Sequence, residues 1–219
     1  MALFPRWSNL FAKFSALALG GAAAGIPVLV IGAITNPVNP GPSAAPVQPV
    51  PFEHTVHVGQ ARIDCGYCHK VAERSYAIQM PSTESCMGCH QQVLRNDPRL
   101  APVWTSYTTD QPIHWRRVNL IPDYVFFNHS IHVNKGVGCE SCHGRVDQMT
   151  RVYQPAPYTM GWCLSCHRNA GPNLRPLTQI TATGWSPPAG AEPALERALL
   201  RQYHTPSVYK LTDCSTCHH

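Results

Sequence analysis

The sequence predicts a mainly helical protein with little regular secondary structure, carried on a single N-terminal transmembrane helix. Three observations lead to this prediction. The chain has 219 residues, of which 21 are proline, and proline interrupts both helices and strands. Its one long apolar segment lies near the N-terminus. Its ten cysteines all belong to one repeated motif, which sets the organisation of the remainder.

Composition excludes several classes of protein. A net charge of +5 without any cluster of lysine or arginine argues against nucleic-acid binding. A single long apolar segment is too little for a polytopic transporter. With 44% hydrophobic residues the chain is not an acidic disordered tail. We therefore expect a small Cys- and His-rich domain on an anchor, with no nucleic acid among its partners.

The first element is the uncharged apolar stretch of residues 14–34. A helix of this length spans about 30 Å, the thickness of the hydrocarbon core of a bilayer. Arg6 and Lys13 precede it and the next basic residue is Arg62, so the positive-inside rule places the N-terminus in the cytoplasm. A cleaved signal peptide is the alternative, but the stretch exceeds the roughly 7–15 apolar residues of a signal peptide. We expect residues 1–35 to be an uncleaved anchor.

The second element is a linker of residues 36–51, with six prolines and no charge. Such a composition favours an extended, semi-rigid spacer. It would hold the following domain away from the bilayer.

The third element, residues 52–219, contains five copies of the motif C-x-x-C-H. The copies are Cys65, Cys68 and His69; Cys86, Cys89 and His90; Cys139, Cys142 and His143; Cys163, Cys166 and His167; and Cys214, Cys217 and His218. This motif is typical of covalent c-type haem attachment, with the histidine as an iron ligand. A disulfide framework or a zinc ribbon does not require the trailing histidine, and a thioredoxin-like motif would occur once. We expect five haem c groups, and export, because haem is attached outside the cytoplasmic membrane.

A repeat of 75 residues divides this domain into units 52–126 and 127–201 and a truncated unit 202–219. A Phe-x-His-x-x-His segment precedes the first and third motifs, and a lone histidine stands at the equivalent position of the third unit. These histidines are His54 and His57, His129 and His132, and His204.

The repeat assigns the sixth iron ligands. The first histidine of each unit precedes its leading motif by 10 or 11 residues, so His54, His129 and His204 are assigned to the first, third and fifth haems. The truncated unit lacks both the second histidine and a second motif. His57 and His132 are therefore assigned to the second and fourth haems, either within their own unit or across units.

Other ligands remain open as alternatives. Methionine ligation raises the reduction potential of a haem, and Met149 and Met160 are the methionines to watch, ahead of Met80 and Met87. His219 directly follows the last motif and is a further alternative, whereas His114 has no counterpart in the repeat. With both axial positions filled by protein, substrate cannot reach iron, so we expect electron transfer and no catalytic residues.

Little conventional core is expected, since only about 33 residues accompany each motif. One regular helix is predicted near residues 192–202. Pro193 suits its first turn, and Leu195, Ala198, Leu199 and Gln202 would form its buried stripe. Residues 171–191 are rich in proline and glycine and predict a loop, a candidate for wrapping a partner.

The paired Phe-x-His-x-x-His segments resemble those of class III multihaem cytochromes, which implies a multihaem cytochrome c domain. The stretch from Val125 to Gly144, followed by Tyr158 to Arg168, resembles the pentahaem subunit of bacterial alternative complex III. That resemblance implies a relay from a quinol-oxidising membrane complex to periplasmic acceptors. The implied partners are polytopic quinol-binding subunits, an iron–sulfur subunit of molybdopterin-enzyme type, a monohaem cytochrome subunit, and a periplasmic cytochrome c, blue-copper protein or terminal oxidase.

A stand-alone quinol dehydrogenase of the NapC/NrfH type is the alternative function. Such proteins share the anchor but hold their first haem at the membrane surface, whereas this chain separates the two by a linker. In either case we expect the bacterial cytoplasmic membrane, with the haem domain on the periplasmic side.

Overall fold

The computed structural model of the chain describes residues 5, 7–35, 45–70, 72–77 and 80–218. Within these ranges it contains one long helix, a series of short helices and no extended strand, apart from one isolated bridge between Val137 and Leu174. The predicted mainly helical fold is confirmed. The α-helices are α1 (Trp7–Thr35), α2 (Cys65–Cys68), α3 (Thr83–His90), α4 (Ala101–Thr109), α5 (His129–Asn134), α6 (Cys139–His143), α7 (Met160–Arg168), α8 (Glu192–Gln202) and α9 (Val208–Leu211).

Shorter turns of other helical types connect them. A π-helical turn covers Thr55–Gln60. The 3₁₀ turns are Pro98–Leu100, Val146–Gln148, Gly171–Asn173, Leu177–Gln179 and Cys214–Thr216.

Helix α1 is the long apolar helix. Its segment Trp7–Gly32 has a mean hydropathy of 2.1 and is long and apolar enough to cross a membrane, by length and composition alone. None of its most apolar window is buried against the described chain. A signal sequence passes the same test, so both origins predicted for this segment stay open. The linker that follows lies outside the described residues from 36 to 44.

The apolar core of the described domain consists of two small clusters. The first contains Val50, Met87 and Val103, so the end of the linker packs into the domain beside the second motif. Gln48 strengthens this contact, since its side chain exchanges two hydrogen bonds with the backbone of Arg116, at 2.8 and 2.9 Å. The second cluster contains Leu174, Leu199 and Tyr203.

Helix α8 forms where it is predicted, but its buried face differs. Leu195 and Leu199 face the core, whereas Ala198 and Gln202 are exposed. The cause is a tertiary contact just after the helix. The hydroxyl of Tyr203 donates to the Arg175 carbonyl at 2.8 Å, and Tyr203 packs with Leu174 and Leu199, so the buried stripe lies on the side of the tyrosine.

Residues 171–191 are a loop with two short 3₁₀ turns, as predicted. The loop packs on its own chain. Leu174, Arg175 and Ile180 are all buried, with 6% or less of their surface exposed.

Candidate functional site

Each C-x-x-C-H motif occupies one turn of helix. The first four motifs lie on α2, α3, α6 and α7, and the fifth lies on the 3₁₀ turn Cys214–Thr216. Residues three apart share a helix face, so each turn presents its two thiols to the same side. Side-chain caps start several of these turns: Asp64 accepts from Gly66 N at 2.7 Å and Asp213 accepts from Ser215 N at 2.9 Å. All ten cysteines lie within the described residues and none forms a disulfide.

Three motif histidines face a second imidazole across a constant gap. The ring centroids of His129 and His143 are 6.3 Å apart. The other two pairs are His57 with His90 at 6.1 Å and His132 with His167 at 6.2 Å. A metal ion binds imidazole nitrogen at about 2.0–2.1 Å, so centroid separations of this size leave room for an iron atom between the two rings of each pair. These three sites therefore fit an iron atom held between two histidines.

The first motif has its second histidine close by as well. Burial lowers the pKa of His54 to about 4, and the neighbouring His69 and His57 lower it further in that order. The Nδ1 atom of His54 is buried without a hydrogen-bond partner. A neutral, buried imidazole next to the motif histidine has the chemistry of a ligand. Burial similarly lowers the pKa of His143 to about 4, ahead of the effects of His129 and His69.

Hydrogen bonds to backbone carbonyls orient most of these rings. In each case Nδ1–H donates to the carbonyl, which leaves the lone pair of a neutral ring on Nε2. Such a second contact is typical of histidines that bind metals. The bonds are His57 to Glu53 at 2.9 Å, His132 to Asn128 at 2.8 Å, His90 to Val93 at 3.0 Å, His167 to Leu211 at 2.8 Å and His218 to Tyr124 at 3.1 Å. Nδ1 of His143 instead faces the side-chain amide of Asn119 at 3.3 Å.

The two Phe-x-His-x-x-His segments share one geometry. Phe52 lies edge-on to His54 at 4.8 Å and stacks on His57 at 4.3 Å. Phe127 lies edge-on to His129 at 4.6 Å and sits against His132 at 4.5 Å. The phenylalanine of the repeat therefore holds both histidines of its unit, which explains its place in the pattern.

The five motifs neighbour one another in a row. The neighbouring thiol of Cys139 raises the pKa of Cys65, and the Cys65 thiol in turn lowers the pKa of Cys139. For Cys68, Cys142 and Cys163, burial is the largest cause that raises the pKa of the thiol, and a neighbouring thiol of another motif raises it further. The pKa of Cys142 reaches about 11. The neighbouring thiols are Cys68 and Cys89, Cys65 and Cys139, Cys142 and Cys166, and Cys163 and Cys217.

Contacts between the segments that carry the motifs give their spatial order. A Cβ atom on Gly88 would lie 3.5 Å from the Tyr67 hydroxyl, which places the second motif beside the first. The consecutive residues Ile180 and Thr181 bond to Cys139 N and Asp64 and so join the third motif to the first. Tyr158, just before α7, donates to the Cys142 carbonyl at 2.9 Å, and His167 donates to the Leu211 carbonyl at 2.8 Å. The order is second, first, third, fourth and fifth motif, which we call the row of attachment sites.

The fifth site is less complete than the others among the described residues. His218 stacks on Tyr124 at 5.9 Å, but its ring forms no pair with that of His204. His204 is exposed, with a φ of 47°, and its carbonyl lies 3.5 Å from Lys135 Nζ. The repeat predicts that His204 serves the fifth haem, but the structure does not bring it opposite His218.

The remaining candidate ligands differ in burial. Met149 is buried, with 6% exposed, and lines a cavity of about 610 Å³ that also contains Gly144, next to His143. Met160 is 66% exposed at the start of α7. His219 lies outside the described residues.

The sequence did not single out one buried charge beside the third motif. The guanidinium of Arg175 pairs with Glu140 at 2.6 Å, and Glu140 lies between the two cysteines of that motif. The acidic residue inside the motif was visible in the sequence. Nothing in the pattern indicated its partner, which lies 35 residues later.

Part of the chain is similar in sequence to known proteins. Residues 125–219 match the family model of cytochrome c7 and related cytochrome c. Over 97 residues the chain is 38% identical to the menaquinone reductase, multihaem cytochrome c subunit, of Nitratidesulfovibrio vulgaris strain Hildenborough. That match covers 44% of this chain and 45% of the relative, so it spans less than half of either protein. The matched region is similar to multihaem c-type cytochromes, which supports the predicted haem binding and electron transport.

Proposed function

We propose that the chain is a pentahaem electron-relay subunit of a quinone-active membrane complex, of the alternative complex III type. The row of attachment sites is the observation that carries this proposal. It links all five motifs through contacts between neighbouring segments, from the second motif at one end to the fifth at the other. When bound, haem c supplies a one-electron ferric/ferrous couple at each site.

The side chains of this domain fix the sites and close them to substrate. Ten cysteines hold five haems, and the motif histidines His69, His90, His143, His167 and His218 supply one axial ligand each. The proposed second ligands are His54, His57, His129, His132 and His204, in the order of the haems that they serve. The ring pairs of His57 with His90 and of His132 with His167 support the proposal that each of these histidines binds the second haem of its own unit. With two histidines at each iron, the chain on its own transfers electrons and performs no catalysis.

The support for individual ligands is uneven. Three sites rest on ring pairs and the first rests on the proximity of His54 to His69. His204 rests on the 75-residue repeat alone. Met149, Met160 and His219 remain the alternative ligands to test.

Helix α1 supports a location of the chain at a membrane. We propose that residues 1–35 anchor the chain in the cytoplasmic membrane and that residues 36–51 link it to the haem domain, 52–219, in the periplasm. The proposed partners are polytopic quinol-binding subunits, an iron–sulfur subunit of molybdopterin-enzyme type and a monohaem cytochrome subunit. A periplasmic cytochrome c, a blue-copper protein or a terminal oxidase would then receive the electrons.

One observation favours a second candidate function, in which the same relay carries electrons toward a quinone and not away from a quinol. The relative is named a menaquinone reductase subunit, so in that protein electrons are delivered to menaquinone. The stand-alone quinol dehydrogenase of the NapC/NrfH type is the remaining alternative. Its support is the anchor alone.

Mild detergent extraction of native membranes, followed by a haem-stained native gel and mass spectrometry of the stained band, tests the assignment. We expect a large band that contains a polytopic subunit and an iron–sulfur subunit, and an intact chain mass that includes five haems. A chain that runs alone would contradict the complex and leave the stand-alone dehydrogenase. Mixing the purified complex with a quinol analogue, or with reduced periplasmic cytochrome, and recording haem reduction then distinguishes the two directions.

A further inference from the structure

We propose that residues 174–185, here called the strap, position the first and third haem-attachment motifs against each other, with Arg175 as the anchoring residue. This inference rests on the proposed function, because it concerns haems bound at both motifs. The contact it describes lies between the two repeat units, where the row of attachment sites passes from one unit to the other.

Arg175 folds the strap around its own side chain. Only 7% of that side chain is exposed. Its Nη1 donates to the Ala182 carbonyl at 2.8 Å, which closes a loop within the strap. Its Nη2 donates to Glu140 at 2.6 Å. The guanidinium also lies against Gly138, where a Cβ atom would overlap it.

The strap makes two further bonds to the third motif. The second carboxylate oxygen of Glu140 accepts from Gly184 N at 2.6 Å. Cys139 N donates to the Ile180 carbonyl at 3.0 Å. Together with the ion pair, these bonds fix the helical turn that carries the third motif.

The middle of the strap touches the first motif. The hydroxyl of Thr181 donates to Asp64 at 2.5 Å, and Asp64 is the residue that caps the helical turn of that motif. The thiol of Cys65 lies 3.8 Å from the Thr181 carbonyl. Because Ile180, Thr181 and Ala182 are consecutive, one short turn contacts both motifs.

The ion pair between Arg175 and Glu140 contributes more to the orientation of the strap than to the stability of the fold. A buried ion pair contributes little net stability, since desolvation of the two charges offsets their attraction. What it does impose is a fixed orientation, because the planar guanidinium donates along defined directions. Transfer of one electron between neighbouring haems breaks and forms no bond, so its rate depends on their separation and orientation. A segment that fixes both motifs therefore influences the rate of that single step, alongside the difference between the two reduction potentials.

Circular dichroism in the Soret region tests the inference, because neighbouring haems couple in a way that depends on their mutual orientation. We expect Arg175→Met and Thr181→Val each to lose amplitude of the Soret couplet, with five haems still attached by mass and an unchanged absorption spectrum. Arg175→Lys and Thr181→Ser should restore part of it. Arg99→Met, which removes an exposed ion pair to Asp97 at 2.7 Å, is the matched control and should match the wild type.

Two results separate the possible failures. Wild-type couplets in both Arg175→Met and Thr181→Val, at full haem content, would overturn the inference and leave the relay untouched. A wild-type protein with fewer than five haems would instead contradict the proposed function. If Arg175→Met fails to mature, Thr181→Val decides alone, since it removes one hydroxyl and preserves the size of the side chain.

Discussion

The imidazole rings of His129 and His143 are nearly parallel, with their planes 5° apart and their centroids 6.3 Å apart. The two side chains come from α5 and α6, which only four residues separate. His129 is further held by Tyr76, whose carbonyl accepts from its backbone N at 3.1 Å. A short connection and a contact from the preceding unit thus set this pair before any metal is considered.

Replacing His129 by methionine should change one haem alone. Thioether ligation raises the reduction potential relative to two imidazoles, so we expect one of five components of a redox titration to move to higher potential. The electron paramagnetic resonance spectrum should lose one bis-histidine signal. His114→Ala is the control, because His114 is exposed and lies outside the ring pairs. An unchanged titration in His129→Met would remove His129 from the ligand set.

The fifth site can be tested with carbon monoxide, which binds ferrous haem only where an axial position is open. If His204 is the sixth ligand, the reduced wild-type protein should be inert and His204→Ala should bind carbon monoxide at one haem. Met160→Ala and Met149→Ala should then behave like the wild type. Binding by the wild-type protein, or a response in a methionine variant and not in His204→Ala, would contradict the assignment that the repeat makes.

Leu199 lies at the centre of the second core cluster, with 3% of its surface exposed. Leu199→Ala removes buried methyl groups and leaves a cavity, so we expect a loss of about 3 kcal/mol in the free energy of unfolding. Chemical denaturation of the holoprotein measures it. Leu120→Ala is the matched control, because Leu120 is 58% exposed and should cost little. Equal effects of the two substitutions would show that the cluster does not stabilise the domain.

Haem attachment should be required for folding. The two apolar clusters of the described domain are small, and burial on that scale does not offset the conformational entropy of so many irregular residues. Residues 52–219 produced without haem attachment should therefore be digested rapidly by protease, whereas the holoprotein should resist. Equal resistance of the two forms would mean that the chain has a sufficient core of its own.

Local patterns predicted the elements that depend on nearby residues. The spacing of cysteines and histidines located the motif turns, and the repeat located the histidines that the structure brings opposite His90, His143 and His167. Helix α8 followed from Pro193 and its leucines, yet its buried face was partly wrong because Tyr203 and Arg175 decide it from outside the helix.

Contacts between distant segments had no such signal. The pairing of Arg175 with Glu140 joins residues 35 positions apart, and the bond of Thr181 to Asp64 joins residues 117 apart. Neither segment is periodic, so the strap appeared in the sequence only as a loop. The choice between own-unit and crossed ligation was open for the same reason, since it depends on how the segments between the motifs fold.

The row of attachment sites does not follow the order of the chain, since the second motif stands at one end and the fifth at the other. In the proposed relay, electrons would pass along this row from each site to its neighbour. Two partner proteins docked at its opposite ends would exchange electrons through the domain at the same time, without competing for one face and without either having to leave. In that relay, the slowest transfer between neighbouring sites would limit the flow of electrons through the whole row.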